Sequence, residues 1–431
     1  VLVIGGGYAG LAAGALLARC GLEVLLLEAS ERLGGRAAWT ERDGFLLENG
    51  LHDNRFAGEG AAAAVFRELG RELEFIEPGD PEFWLDGSFV PLPNSLPKIV
   101  RSELLGWRDK AAAGRVLLPL VLTSPEKLYD LSLEERLGKG VPASVRRILS
   151  VLSGIGIIAP DLGQASAGEF AAFLRKALRS RSKVGYPRGG TRSIIEGLRE
   201  VLEERGGVVT GVRVEGFSVH KGKVVEALAG DRAWKGKAVI SAVPVQELPG
   251  LFGRRNLPLD FLERADSLVP TAGISLEAAL SSPVSERRGL LVTADPLSMG
   301  QFTSNLDPSA APPGKQLLSW FYPLPRRLLD DREALREEEE RLRVLLQEMF
   351  PGLRERVEWE RVMRLRMVDG FLPSPRQSRP HRPGFRVEGL ENLFVAGDGT
   401  AAEGTGGDAA FNSAVEASKL VRSYLRAAPA D

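Results

Sequence analysis

The chain opens on an uninterrupted apolar run, Val1 to Ile4, which predicts a short strand buried on both faces. An Ala/Leu stretch from Leu11 to Cys20 follows helical spacing, and EVLLL, Glu23 to Leu27, is a second apolar strand. Strand, helix and strand in that order make a βαβ unit. Beyond a turn-rich stretch a helix is expected from Ala61 to Leu69. Asp86-Gly87 between the apolar runs of FWLDGSFVPLP predicts a hairpin. From Leu96 to Leu178 the spacing is helical, with breaks expected at Pro119, Pro125, Pro142 and Pro160.

Gly189-Gly190 leads into an amphipathic helix that ends at Gly206-Gly207, and VVTGVRVEGFSV, KVVEAL and KAVISAVP each read as strand. Between Leu257 and Leu372, strand-like runs (GISLEAAL, GLLVTA, KQLLSWFYPL) surround one charged helix, Asp330 to Met349, read as a solvated helix with an apolar core stripe. The final segment, NLFVAGDGT, is a strand entering a glycine-rich loop, followed by a helix from Asp408 to Leu425. The simplest assembly is discontinuous: pieces from both chain ends and the middle build one α/β unit, and two inserts build another.

The length, 431 residues, exceeds what one core holds and fits two or three domains. Lys and Arg (56) nearly cancel Asp and Glu (57), so the net charge of -1 supplies no field for nucleic acid, which is not an expected partner. The single cysteine, Cys20, excludes an internal disulfide framework and cysteine-cluster metal sites, so no metal is expected. A reducing, cytoplasmic setting fits that count. No apolar run reaches the roughly 18 residues that would suggest a membrane-spanning helix. The chain begins inside an apparent strand, which leaves open what precedes it.

Chemistry enters with the glycines. Gly5, Gly7 and Gly10 fit G-x-G-x-x-G between the first strand and helix, and Glu28 ends the next strand. Gly5 permits a sharp turn, Gly7 lets amides approach a pyrophosphate, and Gly10 allows close helix–strand packing. The helix N-terminus then offers free N–H groups to phosphates. Glu28 can accept hydrogen bonds from ribose hydroxyls. The alternative, a purely structural turn, does not explain why glycines, strand, helix and acid occur together.

The continuation EASERLGGRAAW resembles the FAD-dependent flavoprotein superfamily of amine oxidases, protoporphyrinogen oxidase and phytoene desaturases. The matching residues are Arg32, Gly34, Gly35 and Arg36, which the resemblance places near the cofactor phosphates or flavin. FLLENGLH is similar to that family's flavin-lining D-x-G-P-H segment, with Gly50 and His52 matching and Glu48 and Leu51 departing. His52 is read as catalytic or as a satisfied structural histidine. At the other chain end, Asp398 matches the Asp that binds the ribityl chain, and Gly397, Gly406 and Gly407 match the loop glycines. Amides around Asp408, Ala409 and Ala410 would then stabilise negative charge on the flavin. Val212 lies on a stretch similar to the strand that meets the adenine. The implied fold is α/β: a Rossmann-like, GR2-type FAD-binding domain from 1–75, 186–250 and 373–431. A substrate-binding domain would come from 76–185 and 251–372, its helical part at about 96–178. Cys20 ends the first helix, far from the ring, so noncovalent FAD is expected.

Within the superfamily, the segment RLRMVDGFLPSPRQSRPHRPGF offers no Trp or Tyr for an amine cage, and GISLEAALSSPV offers no lysine. SMGQFTSNLDPSAAPPGKQLL and the P-S-x-x-x-S-R-P pattern from Pro373 to Pro380 are similar to phytoene desaturase-like proteins. The implied activity is hydride transfer between a C–C bond of an apolar, carotenoid or isoprenoid-like substrate and flavin N5. A flavin amine oxidase, a protoporphyrinogen oxidase-like enzyme and a flavin-binding protein without turnover are the alternatives. Residues 96–137 mix Lys98, Arg101, Trp107, Arg108, Lys110 and Arg115 with VLLPLVL. They read as a buried substrate-domain helix broken by Pro119, with peripheral membrane contact as the second reading.

Overall fold

The apolar runs of the two chain ends lie side by side. A computed structural model describes every residue except 94–97, 99, 100, 103, 182, 183 and 428–431, so the expected start of the helical block is largely outside the described residues. Five strands form one sheet in the order Gly206–Val209, Val24–Leu27, Leu2–Ile4, Val239–Ser241, Leu393–Val395. Every neighbouring pair is parallel. The central strands carry apolar side chains on both faces because helices or packed loops cover both, as parallel sheets require.

The first helix, Tyr8–Arg19, lies between Gly190–Glu203 and the last helix, Gly406–Ala427. Being covered nearly all round, it is built from small residues: a Cβ on Gly14 would stand 2.4 Å from Leu202 Cδ1. It begins three residues before the apolar spacing suggested, because Gly7 is its N-cap and the glycine motif runs into its first turn.

A second sheet has seven strands in the order Val357–Leu365, Gly273–Leu280, Gln316–Pro323, Leu297–Phe302, Gly289–Ala294, Gly79–Leu85, Ser88–Pro91. Its last two strands are the expected hairpin, turned by Asp86 and Gly87 at φ of 49° and 78°, the pair of positive values a tight hairpin wants. Leu297–Phe302 and Val357–Leu365 were not anticipated. The second is an edge strand of nine residues that alternates half-buried and exposed positions and carries charges, so it lacks an apolar run.

Two expectations need correction. VVTGVRVEGFSV is not one strand: the parallel ladder ends at Val209, the chain turns at Gly211 (φ 69°), and Gly216–His220 belongs to another sheet. Pro119 does not break its helix, which runs from Trp107 to Leu122. Proline forfeits one backbone bond, but the Thr123 N–H still reaches the Pro119 carbonyl at 2.9 Å and the last turn closes. Pro125, Pro142 and Pro160 do stand at element ends. The helical insert also contains Ala143–Ile157 and Ala167–Arg179.

Candidate cofactor and substrate cavity

One cavity of about 1340 Å³ runs from the carboxyl ends of the parallel strands to the helical insert. That exceeds the roughly 300–1,000 Å³ of an ordinary small-ligand pocket. Its two ends are made differently.

The first end is backbone. Gly5 turns at φ 103°, and a Cβ on Gly10 would stand 1.9 Å from the Gly5 carbonyl oxygen, so strand and helix touch there as only glycine allows. The first helix has neither a side-chain cap nor an acid in its first turn, so its leading amides are unspent. Gly34, at φ 104°, donates its N–H to the Gly6 carbonyl at 2.8 Å, which locks the two glycine motifs together. Glu28 accepts the Gly6 N–H at 2.6 Å and the Ser30 N–H at 2.8 Å, fixing its carboxylate at the cavity edge. A Cβ on Gly397 would meet nothing within 4 Å, and one on Gly407 only the Tyr8 ring, at 3.9 Å or more. Both open onto space a ligand can fill.

Arg36 and Asp398, predicted separately, are partners. The guanidinium donates to both carboxylate oxygens at 2.7 and 2.6 Å, and the Gly370 N–H adds a bond of 2.6 Å. Burial pushes the Asp398 carboxyl up, but Arg36 and the Gly370 N–H outweigh it and hold the group below the usual carboxylate range. The pair ties the Arg-x-Gly-Gly-Arg turn to the loop before the last helix.

Gly5, Gly7, Glu28, Gly34, Gly35, Arg36, Gly50, His52, Val212, Gly397, Asp398, Gly407 and Ala410 all line the cavity. Four predicted residues do not. Gly10 faces Gly5 instead. Arg32 is exposed, its backbone N–H held by Ser30 Oγ at 3.1 Å. Asp408 turns away to accept the Ala61 N–H at 3.3 Å, and Ala409 is fully buried, off the wall. Glu48 also lies off the wall, accepting the Thr191 N–H at 2.6 Å at the start of helix Gly190–Glu203. Burial raises Glu48 to about 8, against that N–H. His52 keeps a buried Nε2 without a partner, and burial pushes it down to about 4, opposed by the Asn49 and Arg36 carbonyls. It is neutral at pH 7 and suits a hydrogen-bonding role better than that of a general acid.

The second end is side chain. Leu117, Leu152, Ile155, Phe173, Met299 and Phe321 give it an apolar wall that reaches the insert helix Trp107–Leu122. Tyr8 is the only Tyr or Trp, and no lysine occurs, among the described lining residues. Sequence reasoning missed Asp53, Arg55 and Asp369, all on the wall. Asp53 accepts from Gln301 Nε2 at 2.9 Å, and burial raises it to about 6. None of the three sits in a pattern that would have distinguished it.

A parallel sheet with a glycine cradle, an uncapped N-terminus on the first helix and a carboxylate at the second strand end defines a dinucleotide-binding protein. The comparisons narrow this to one family. The chain belongs to the flavin containing amine oxidoreductases, whose family pattern matches residues 8–422. It is 30% identical over 187 residues to a coproporphyrinogen III oxidase of Propionibacterium freudenreichii, covering 41% of this chain and 34% of the relative. It is 27% identical over 296 residues to a 15-cis-phytoene desaturase of Glycine max, covering 62% of this chain and 51% of the relative. The matched stretches thus span between a third and a half of these relatives. An oxidoreductase from Methanosarcina mazei superposes with a TM-score of 0.82 at 21% identity, over 97% of this chain and 99% of that one. The cofactor is FAD, and the residues fit it: the glycines leave room where a Cβ would intrude, and the free helix amides suit its phosphates.

Proposed function

We propose that the protein is an FAD-dependent oxidoreductase acting on a C–C bond of an apolar, isoprenoid-like substrate, of desaturase or saturase type. The observation that carries this reading is the long apolar arm of the cavity, which has no Trp or Tyr cage and no lysine among its described lining residues. FAD supplies the two-electron chemistry when bound. Residues 1–75, 186–250 and 373–431 hold it, and 76–185 with 251–372 hold the substrate. Leu152, Ile155 and Phe173 exclude water and align an uncharged reacting carbon, which needs positioning more than a strong base.

The insert helix supports the route of entry. Its exposed stripe carries Trp107 (75%), Leu118 (59%) and Leu122 (69%), with Arg108 and Arg115 alongside, while Leu117 lines the cavity. We assign this stripe to peripheral contact with an anionic lipid surface. No helix among the described residues is long and apolar enough to cross a membrane.

Anaerobic bleaching of the bound flavin by a panel of polyenes, terpenoids, amines and porphyrinogens tests the reading. Bleaching of the oxidised flavin by polyenes or terpenoids (desaturase), or return of its colour when they meet the photoreduced flavin (saturase), is expected. Bleaching by amines or porphyrinogens alone replaces the substrate class, and no response of either flavin form favours a flavin-binding protein without turnover. A porphyrinogen is the second reading, supported by Arg181 on the cavity wall, a cation that could meet its carboxylates.

A further inference from the structure

Asp369 lies where the chain passes from the seven-stranded sheet back to the FAD-binding end. Its backbone is pinned by Thr271, whose Oγ1 accepts the Asp369 N–H at 2.9 Å and whose N–H reaches the Asp369 carbonyl at 3.2 Å. The residue is only 6% exposed, yet it lines the cavity, and its Oδ2 is buried without a hydrogen-bond partner. The carboxyl presses on the start of the last helix: a Cβ on Gly406 would stand 2.6 Å from Asp369 Oδ1.

A buried carboxyl with an unspent oxygen is costly unless something meets it. The charged groups that act on it are Asp398, which repels it, and Arg55 and Arg36, which attract it. Arg36 is already spent on Asp398. Arg55 lines the cavity and has no side-chain hydrogen bond or ion pair among the described residues. Two guanidiniums on this wall argue against a cationic substrate group for Asp369. What remains is the helix N-terminus, whose partial positive charge favours negative charge on a flavin.

We propose that Asp369, opposed by Arg55, tunes the reduction potential of the bound flavin by setting the charge at the start of the last helix. The ionised carboxylate weakens the field that the helix amides present to a flavin gaining negative charge, and so lowers its potential. Arg55 acts in the opposite sense. Burial, then Asp398, raises the Asp369 carboxyl to about 6, so its charge is lost on moderate acidification.

The test is the two-electron midpoint potential of the FAD-loaded protein, read by dye equilibration without turnover, at pH 8 and pH 5. At pH 8, Asp369→Asn should favour the reduced form about tenfold, a rise of about 30 mV. At pH 5, where the wild-type carboxyl is already protonated, the two proteins should agree. Arg55→Gln should lower the potential at pH 8, and it decides the question if Asp369→Asn fails to retain FAD. Equal potentials in the variants and wild type at pH 8 would overturn the proposal. So would an Asp369→Asn shift that persists undiminished at pH 5.

Discussion

The two ends of the cavity solve different problems with different parts of the residue. At the sheet end the wall is defined by what is absent: side chains are missing at Gly5, Gly7 and Gly397, so backbone and empty space line the cavity. At the insert end, Leu152, Ile155 and Phe173 do the work by bulk and apolarity. The first kind of surface tolerates almost no substitution. The second tolerates many, because apolar side chains of similar volume can replace one another.

The sharpest break in that contrast is Gly10→Val. With a Cβ 1.9 Å from the Gly5 carbonyl, helix and strand must separate, and the expected outcome is no folded, flavin-absorbing protein, read by far-ultraviolet circular dichroism and visible absorbance. Asp398→Ala leaves Arg36 without its partner. About 2 kcal/mol of stability should go in urea unfolding, less than for a fully buried pair because the Arg36 side chain is 40% exposed. FAD affinity should fall at least about tenfold with it.

Glu48 tests the packing between the two ends. Its folded value, about 8, lies above its unfolded one, so its stabilising share is full below about 4.5 and is lost as pH rises through 8. From this group, wild-type protein should lose on the order of 4 kcal/mol between pH 5 and 8.5. Glu48→Gln, which keeps an acceptor for Thr191, should lose clearly less, and equal slopes in urea titrations would count against the assignment. The mildest change is Ile155→Trp, which should leave the flavin spectrum and melting nearly untouched while lowering kcat/KM for the longest substrates about tenfold. An altered spectrum would place Ile155 at the flavin instead.

This asymmetry also explains what the sequence made legible. Gly5, Gly7, Gly34, Gly35 and Gly397 stand at fixed spacings because backbone geometry leaves no freedom, so motif and structure coincide. Arg32 and Asp408 belong to the same motifs but point elsewhere, since spacing places a Cα and not the end of a side chain. The strand Val357–Leu365 was invisible because an edge strand needs no apolar run. Asp369 and Arg55 come together only through tertiary packing, and no local pattern marks a carboxyl that will end against a helix 37 residues later, at Gly406. Pro119 was misjudged for a simpler reason: near a helix end, proline costs a single bond.

The order of the parallel sheet has a consequence for biosynthesis. Its edge strand, Leu393–Val395, leaves the ribosome about 150 residues after its partner Val239–Ser241, and the helix from Gly406 nearly four hundred residues after the helix it packs on, Tyr8–Arg19. Nearly four hundred residues must wait for that closure, a slow, non-local pairing during which the apolar strand Val239–Ser241 has an open edge. The cavity is therefore complete only once the helix from Gly406 has been made, and until then that open edge is free to pair elsewhere.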